Sequence, residues 1–150
     1  MKVYLASDHG GFFYKEEIQK HLEGKGYDVV DCGNEEYDKD DDYTDFVFPL
    51  AKKVVKDKGS FGVILGRSGN GELIAANKVK GIRAAMGCSP KMAEIARKHN
   101  DANVLSLGAD HINLQQALSA VDVFLRTEFL GKERYQRRIK ATDKYENSKS

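Results

Sequence analysis

The sequence predicts a single-domain α/β protein, a three-layer α/β/α sandwich around a five-stranded parallel sheet. Five short β-rich runs alternate with stretches of helical periodicity, the pattern of a parallel sheet covered on both faces. The 150 residues contain no internal repeat, linker or break in composition, so residues 1–150 read as one domain with a proper core. A glycine-rich junction near the middle of the chain joins an apolar strand to a helix, and in such sheets ligands bind beyond the carboxyl ends of the strands.

Taken in order, Lys2 to Ser7 is the first strand, followed by Asp8-His9-Gly10-Gly11. Phe12 to Gly24 has helical spacing, with Phe13, Glu16-Glu17-Ile18 and Leu22 forming one stripe. Tyr27 to Cys32 is the second strand. A long connection from Gly33 to Thr44 contains the acidic run Asp38–Asp42, which fits no hand-type calcium loop and reads as solvated. Asp45 to Lys58 is the second helix, with Phe46, Leu50, Val54 and Val55 on one face. Phe61 to Gly66 is the third strand, Gly71 to Lys78 the third helix and Ile82 to Met86 the fourth strand. Ser89-Pro90 gives a capping residue and a proline at the first helical position, opening a helix that runs to His99-Asn100. There Asn100 suits a left-handed cap. Asn103 to Gly108 is the fifth strand and Leu114 to Arg126 a further helix. A basic segment from Lys132 to Lys140, expected as a C-terminal helix, leads to a tail, Asn147–Ser150, expected to be disordered.

Composition excludes several classes of partner. A formal net charge of +1 gives no reason to expect nucleic acid or a membrane surface. No apolar stretch approaches membrane-spanning length, and Met1–Leu5 enters a strand instead of a signal peptide. Cys32 and Cys88 lack metal-ligand spacing and read as reduced thiols, so the expected location is the cytoplasm.

The chemistry concentrates in Gly66-Arg67-Ser68-Gly69-Asn70-Gly71-Glu72. A strand–loop–helix junction of this composition presents backbone N–H groups to an anion, with the helix dipole behind them. Glu72 would repel a phosphate held there. Beside an enediolate, a carboxylate is the base that formed it. The bland alternative is a loop that merely caps a helix. Better-known motifs fail: a nucleophile elbow needs glycine at Asn70, a dinucleotide fingerprint needs glycine at Ile74, and a P-loop would not continue Glu72-Leu73.

The rule for parallel sheets brings Asp8-His9, the Gly66–Glu72 loop and the residues after Leu107 to one edge. Asp8-His9 taken alone is equally an Asx-type turn with a solvated histidine. Arg134, Arg137 and Arg138 share a helix face able to grip a phosphate, or they form an ordinary basic surface.

These motifs, with Asp42-Tyr43, Ile74-Ala75-Ala76-Asn77-Lys78, Gly81-Ile82-Arg83-Ala84, Arg97-x-His99-Asn100 and Arg134-x-Gln136-Arg137-Arg138, together resemble the type B ribose-5-phosphate isomerases. That family shares a Rossmann-like fold with the galactose-6-phosphate isomerase subunits, and the resemblance runs to about Ile139. It implies a metal-independent aldose–ketose isomerase needing no cofactor, a homodimer sometimes paired into tetramers, with active sites at the dimer interface. Glu72 would be the base, in the variant with glycine rather than cysteine at position 66. Backbone N–H groups from Ser68 through Gly69, Asn70 and Gly71 to Glu72 would hold the enediolate. Asp8 and His99 would open the furanose ring, and both are expected at the ligand edge. Asn100 would bind substrate oxygens, Tyr43 would line the pocket, and His9, Arg134 and Arg138 would hold the phosphate.

Three positions depart from the family pattern: Arg67 for a usual glycine, Asp110 for a usual phosphate-binding arginine, and Tyr135 for a common histidine. Arg67 and Asp110 are expected to compensate one another at the phosphate end. The expected reaction interconverts ribose 5-phosphate and ribulose 5-phosphate. The alternatives are the same chemistry on allose or galactose 6-phosphate, and a non-catalytic phosphosugar-binding module.

Overall fold

The five apolar runs form β1 (Lys2–Ser7), β2 (Asp28–Asp31), β3 (Phe61–Gly66), β4 (Ala84–Met86) and β5 (Val104–Gly108). All pair in parallel, in the order β2-β1-β3-β5-β4. The computed structural model describes residues 1–148. Six helices complete it: α1 (Phe12–Gly24), α2 (Thr44–Lys56), α3 (Asn70–Ala76), α4 (Pro90–Asn100), α5 (Leu114–Arg126) and α6 (Glu133–Glu146).

Alternation along the strands sorts the core into two halves. Val3, Leu5, Val63, Leu65, Leu105 and Leu107 pack with Ile18 and Leu22 of α1, Ala93 and Ala96 of α4, and Phe124 of α5. Tyr4, Ala6, Ile64 and Val104 pack on the other side with Leu50 and Val54 of α2 and with Ala75 and Ala76 of α3. The chain leaves β1 toward β2 on one side and returns to β3 on the other. The loops after β1 and β3 therefore diverge to opposite faces and open a crevice at the C-terminal edge of the sheet.

Several local expectations are corrected. In α1 the buried stripe is Lys15, Ile18 and Leu22, because the ammonium of Lys15 is neutralised by Asp31 at 2.6 Å and Glu16 at 3.1 Å. Phe13 is 67% exposed and stacks on Tyr37 instead. In α2, Val47 and Ala51 are buried while Val55 faces outward. The left-handed cap of α4 falls on Asp101 (φ 47°), where Arg97 and Arg83 meet its carboxylate, and not on Asn100. Ser89 caps α4 through Met92 N, as expected, and Asn113 with Gln116 forms a capping box on α5. Asn147 and Ser148 close the end of α6 through Asp143 O and Tyr145 O, so the expected disordered tail is ordered there; Lys149 and Ser150 lie outside the described residues. Among the described residues no helix is long and apolar enough to cross a membrane.

Candidate active site

The loop after β3 is held against β5. Gly69 has φ 81°, in the left-handed region, and a Cβ there would stand 2.9 Å from Leu107 O. The buried hydroxyl of Ser106 donates to Gly69 O at 2.8 Å. Sequence reasoning missed Ser106, although a lone serine inside an apolar strand was a visible signal. Ser68 Oγ accepts from Asn70 N at 3.2 Å, and the ring of Tyr43 lies directly over Gly71, where a Cβ would meet Tyr43 Cζ at 2.6 Å. The loop amides at the start of α3 are thus fixed before any anion arrives.

Glu72 sits in the first turn of α3 and is only 4% exposed. Its carboxylate fills the space a side chain at position 66 would take: a Cβ on Gly66 would overlap it. This makes glycine at 66 and glutamate at 72 two parts of one arrangement. Burial raises the Glu72 pKa above the usual carboxylate value; its own backbone N–H pulls it down, and the charge and hydrogen bond of neighbouring Asp8 push it up. Asp8 is itself 9% exposed, and its Oδ1 accepts from Gly10 N at 2.9 Å, the Asx-type turn expected there.

His9 follows on the same turn, and it is not left to solvent. Its Nδ1 lies 2.8 Å from Asp41 Oδ1, and its backbone N donates to the same oxygen at 3.0 Å. Asn34 Nδ2 donates to Asp41 Oδ2. The hydrogen bond to Asp41 raises the His9 pKa; burial opposes it, Asp8 adds to it and Arg67 lowers it. The acidic connection is therefore not wholly solvated, since the Asp41 side chain is 8% exposed. Asp8, His9 and Asp41 place ligand atoms within 4.8 Å of one another, as a metal site would. Both oxygens of Asp41 are, however, already engaged by His9 and Asn34, so the cluster is explained as a hydrogen-bonded network.

Arg67 and Asp110 meet at the mouth of the crevice. Arg67 Nη1 is 3.7 Å from Asp110 Oδ2, both side chains remain more than half exposed, and Asp110 N donates to Arg67 O at 2.9 Å. The stem of Arg67 runs across Gly10, where a Cβ would stand 2.5 Å from its Cγ. On the β5 flank of the loop, Ser68, Asn70, Met86, Cys88, His111 and Ile112 line a cavity of ≈ 220 Å³. Burial pushes the Cys32 thiol up, away from nucleophilic character.

His99, Asn100, Arg134 and Arg138 are elsewhere. Helix α4 begins after the C-terminal end of β4 and ends just before β5, so His99 and Asn100 lie at the N-terminal edge of the sheet. Arg83 N bonds Asn103 Oδ1 and Arg83 Nε bonds Asn100 O at that edge. The expectation that His99 shares an edge with Asp8 in one chain is overturned by this helix direction. His99 stacks on Tyr135 at 4.6 Å, and Arg134 lies 4.7 Å from the other partner of that stack, the Tyr135 ring. Tyr135 thus does a packing task between His99 and Arg134. Arg138, Asn100, Arg83 and Asn77 line a cleft of ≈ 480 Å³ beside α6. Arg97 is structural: it is 7% exposed and bonds Asp101, Ala102 O and Thr127 O, fixing the turn that carries His99. Helix α6 is moored to this edge by Asp143 on Arg83 and by Glu146 on Gly81 N.

A parallel α/β sheet with a clamped anion loop and a buried, proton-hungry carboxylate defines a class: proteins that can form and stabilise an oxyanion next to a carbon acid. The particular family follows from comparison with known proteins, because residues 3–142 match the family model for ribose/galactose isomerase. The chain is 45% identical over 148 residues to ribose-5-phosphate isomerase B of Mycolicibacterium paratuberculosis, covering 99% of this chain and 93% of that one. It superposes on the crystal structure of ribose-5-phosphate isomerase B from Mycoplasma genitalium with bound ribulose-5-phosphate at a TM-score of 0.95 and 41% identity, covering 99% and 97% of the two chains. The corresponding Clostridium thermocellum structure gives 0.93 and 40%, with 97% of each chain covered. The chain belongs to the ribose/galactose isomerase family.

Proposed function

We propose that this chain interconverts ribose 5-phosphate and ribulose 5-phosphate, with Glu72 as the base. The observation that carries this reading is the Glu72 carboxylate, buried, raised in pKa and seated in the anion loop. Ionised Glu72 removes the proton from C2 of the ring-opened aldose. The electron pair moves into a C1–C2 double bond, and the carbonyl oxygen takes the negative charge. Backbone N–H groups from Ser68 to Glu72 hold that oxygen. The proton returns to C1 while the C2 hydroxyl becomes the carbonyl, and its proton passes to the oxygen on C1. No oxidant is consumed, so the residues present suffice for the step. A raised pKa makes Glu72 a stronger base once ionised.

Asp8 assists ring opening beside Glu72, and Tyr43 closes the pocket over Gly71. His9 and Arg67 supply positive charge at the substrate's phosphate, with Asp110 as the counter-ion of Arg67. His99, Asn100, Arg134 and Arg138 serve the site from a second copy of the chain. Their place at the opposite edge of the sheet supports this, because a two-fold pair can bring one edge of each copy against the other. The working form is then a homodimer with shared sites, itself able to pair into a tetramer, and it acts in the cytoplasm on a small phosphorylated sugar.

The test is turnover of ribose 5-phosphate, allose 6-phosphate and galactose 6-phosphate with a chelator present. Turnover of the pentose phosphate by at least tenfold over the hexose phosphates is expected. A hexose preference would move the substrate assignment within the family, and binding without turnover of any of the three would make the chain a phosphosugar-binding module.

A further inference from the structure

The connection between β2 and α2 carries five acidic or basic residues in a row, Asp38-Lys39-Asp40-Asp41-Asp42, and one of them departs from the rest. Asp41 turns inward. Its Oδ1 receives both the backbone N–H and the Nδ1 of His9, at 3.0 and 2.8 Å. Its Oδ2 receives Asn34 Nδ2. Asn34 is in turn fixed to the end of β1, with its N on Ser7 O at 3.1 Å, and Ser7 N reaches Gly33 O at 2.9 Å. Asp41 is thereby tied to the same strand end that carries His9, and neither the carboxylate nor the ring can turn without breaking the other's bonds.

From this we propose that Asp41 is the positioning residue of His9, turning the ring so that its Nε2–H is presented to the anionic end of the substrate. The proposal rests on the reading of His9 as a phosphate ligand. A carboxylate offers only lone pairs, so Nδ1 must carry the proton that joins it to Asp41. In neutral histidine that arrangement would leave Nε2 as an acceptor, which faces a phosphate badly. In the imidazolium both nitrogens donate, and the carboxylate stabilises that form. Asp41 thus fixes orientation and charge together. The other titratable groups around the ring are Asp8, which favours the cation, Arg67, which opposes it, Glu72, close enough to sense it, and Tyr37 of the acidic connection, whose ring packs edge-on at 6.4 Å.

The experiment compares the parent with Asp41→Asn, His9→Gln and the double variant, measuring KM and kcat for the phosphosugar from pH 5.5 to 8.5. NMR titration of the His9 ring in the full chain is read alongside. In Asp41→Asn, KM is expected to match the parent within about threefold at pH 5.5 and to rise at least tenfold by pH 8, with kcat changed far less. The His9 titration midpoint falls. In the His9→Gln background, Asp41→Asn adds no further pH dependence. A KM change equal at every pH, an unmoved His9 titration, or a further pH-dependent loss in the double variant would overturn the assignment. The NMR readout needs no turnover, so it separates failure of this proposal from failure of the isomerase reading: an unchanged His9 titration in an inactive protein still rejects Asp41.

Discussion

The two edges of the sheet differ in charge and burial, and on the proposed reading they carry opposite halves of one chemistry. At the C-terminal edge stand the proposed base Glu72, the glycine-rich loop and a surplus of acid: Asp8, Asp41, Glu72 and Asp110 against His9 and Arg67. At the N-terminal edge stand His99 and the guanidiniums of Arg134 and Arg138, for which no ion pair forms among the described residues. Five-residue strands separate the edges by about 17 Å, too far for one small substrate to touch both within a chain. The first edge can move a proton but is poorly charged for a dianionic phosphate. The second offers guanidiniums that would suit the phosphate and, among the described residues, has no buried carboxylate. On the proposed reading each chain presents two half-sites, and pairing of copies would join them.

The largest effect should come from the first edge. Glu72→Gln preserves shape and removes the proton acceptor, so turnover should fall by about 10²–10⁴ with KM changed little. Steady-state kinetics in both directions would check it, and near-parental turnover would place the base elsewhere, with Cys88 the first thiol to test. Gly66→Ala should do nearly as much without touching an ionisable group. Its methyl would occupy the space of the Glu72 carboxylate, displacing the base for a loss on the order of 10² in kcat. Crowding there should also lower stability by about 1–3 kcal/mol, measurable by denaturant unfolding. An undisturbed Gly66→Ala enzyme would show that the carboxylate does not work from this position.

A smaller effect sharpens the charge balance within that edge. Because burial and Asp8 hold the Glu72 pKa above 4.5, the acid limb of kcat/KM should lie above an ordinary carboxylate's. The sign for stability follows from the same shift. Folded Glu72 keeps its proton where the unfolded chain has lost it, so stability declines as pH rises from 4.5 through the folded pKa. Asp8→Asn should move the acid limb downward, and only in part, since burial is the larger cause. An upward move would mean that Asp8 does not face Glu72 as a charge.

The sequence made one edge legible and hid the other. Glycine spacing and the placement of Glu72 exposed the loop, because a backbone that must approach an anion closely leaves few residue types to choose from. The strands were legible to within two residues, because a strand covered on both faces needs a nearly continuous apolar run. What failed was directional. His99 and Asn100 stand at a helix end in the sequence, and which edge that end reaches depends on counting strand–helix reversals in three dimensions. Asp41 was lost among like neighbours, since nothing local distinguishes the one aspartate that finds a histidine 32 residues away. Lys15 was hidden by its charge, because its partner Asp31 lies outside its helix, at the end of β2.

The smallest expected effect concerns Arg67 and Asp110, the charge pair at the mouth of the first edge. A 3.7 Å pair this exposed should contribute under about 1 kcal/mol to folding. Arg67→Gly should weaken a phosphate-bearing sugar-acid inhibitor several-fold, and adding Asp110→Arg should restore much of that. Effects of zero for both would mean that the pair lies outside the phosphate's reach.

The most direct measurement of the two-edge account is complementation between inactive subunits. Glu72→Gln spoils only the first edge, and His99→Asn, assayed with the cyclic aldose, spoils only the second. Mixed in equal amounts and allowed to exchange, half the dimers should be hybrids, each with one doubly spoiled site and one intact site. About a quarter of parental activity is expected to return as subunits exchange. Activity that stays at the sum of the two separate variants, with hybrid dimers shown to have formed, would contradict it, because each site would then be built from a single chain.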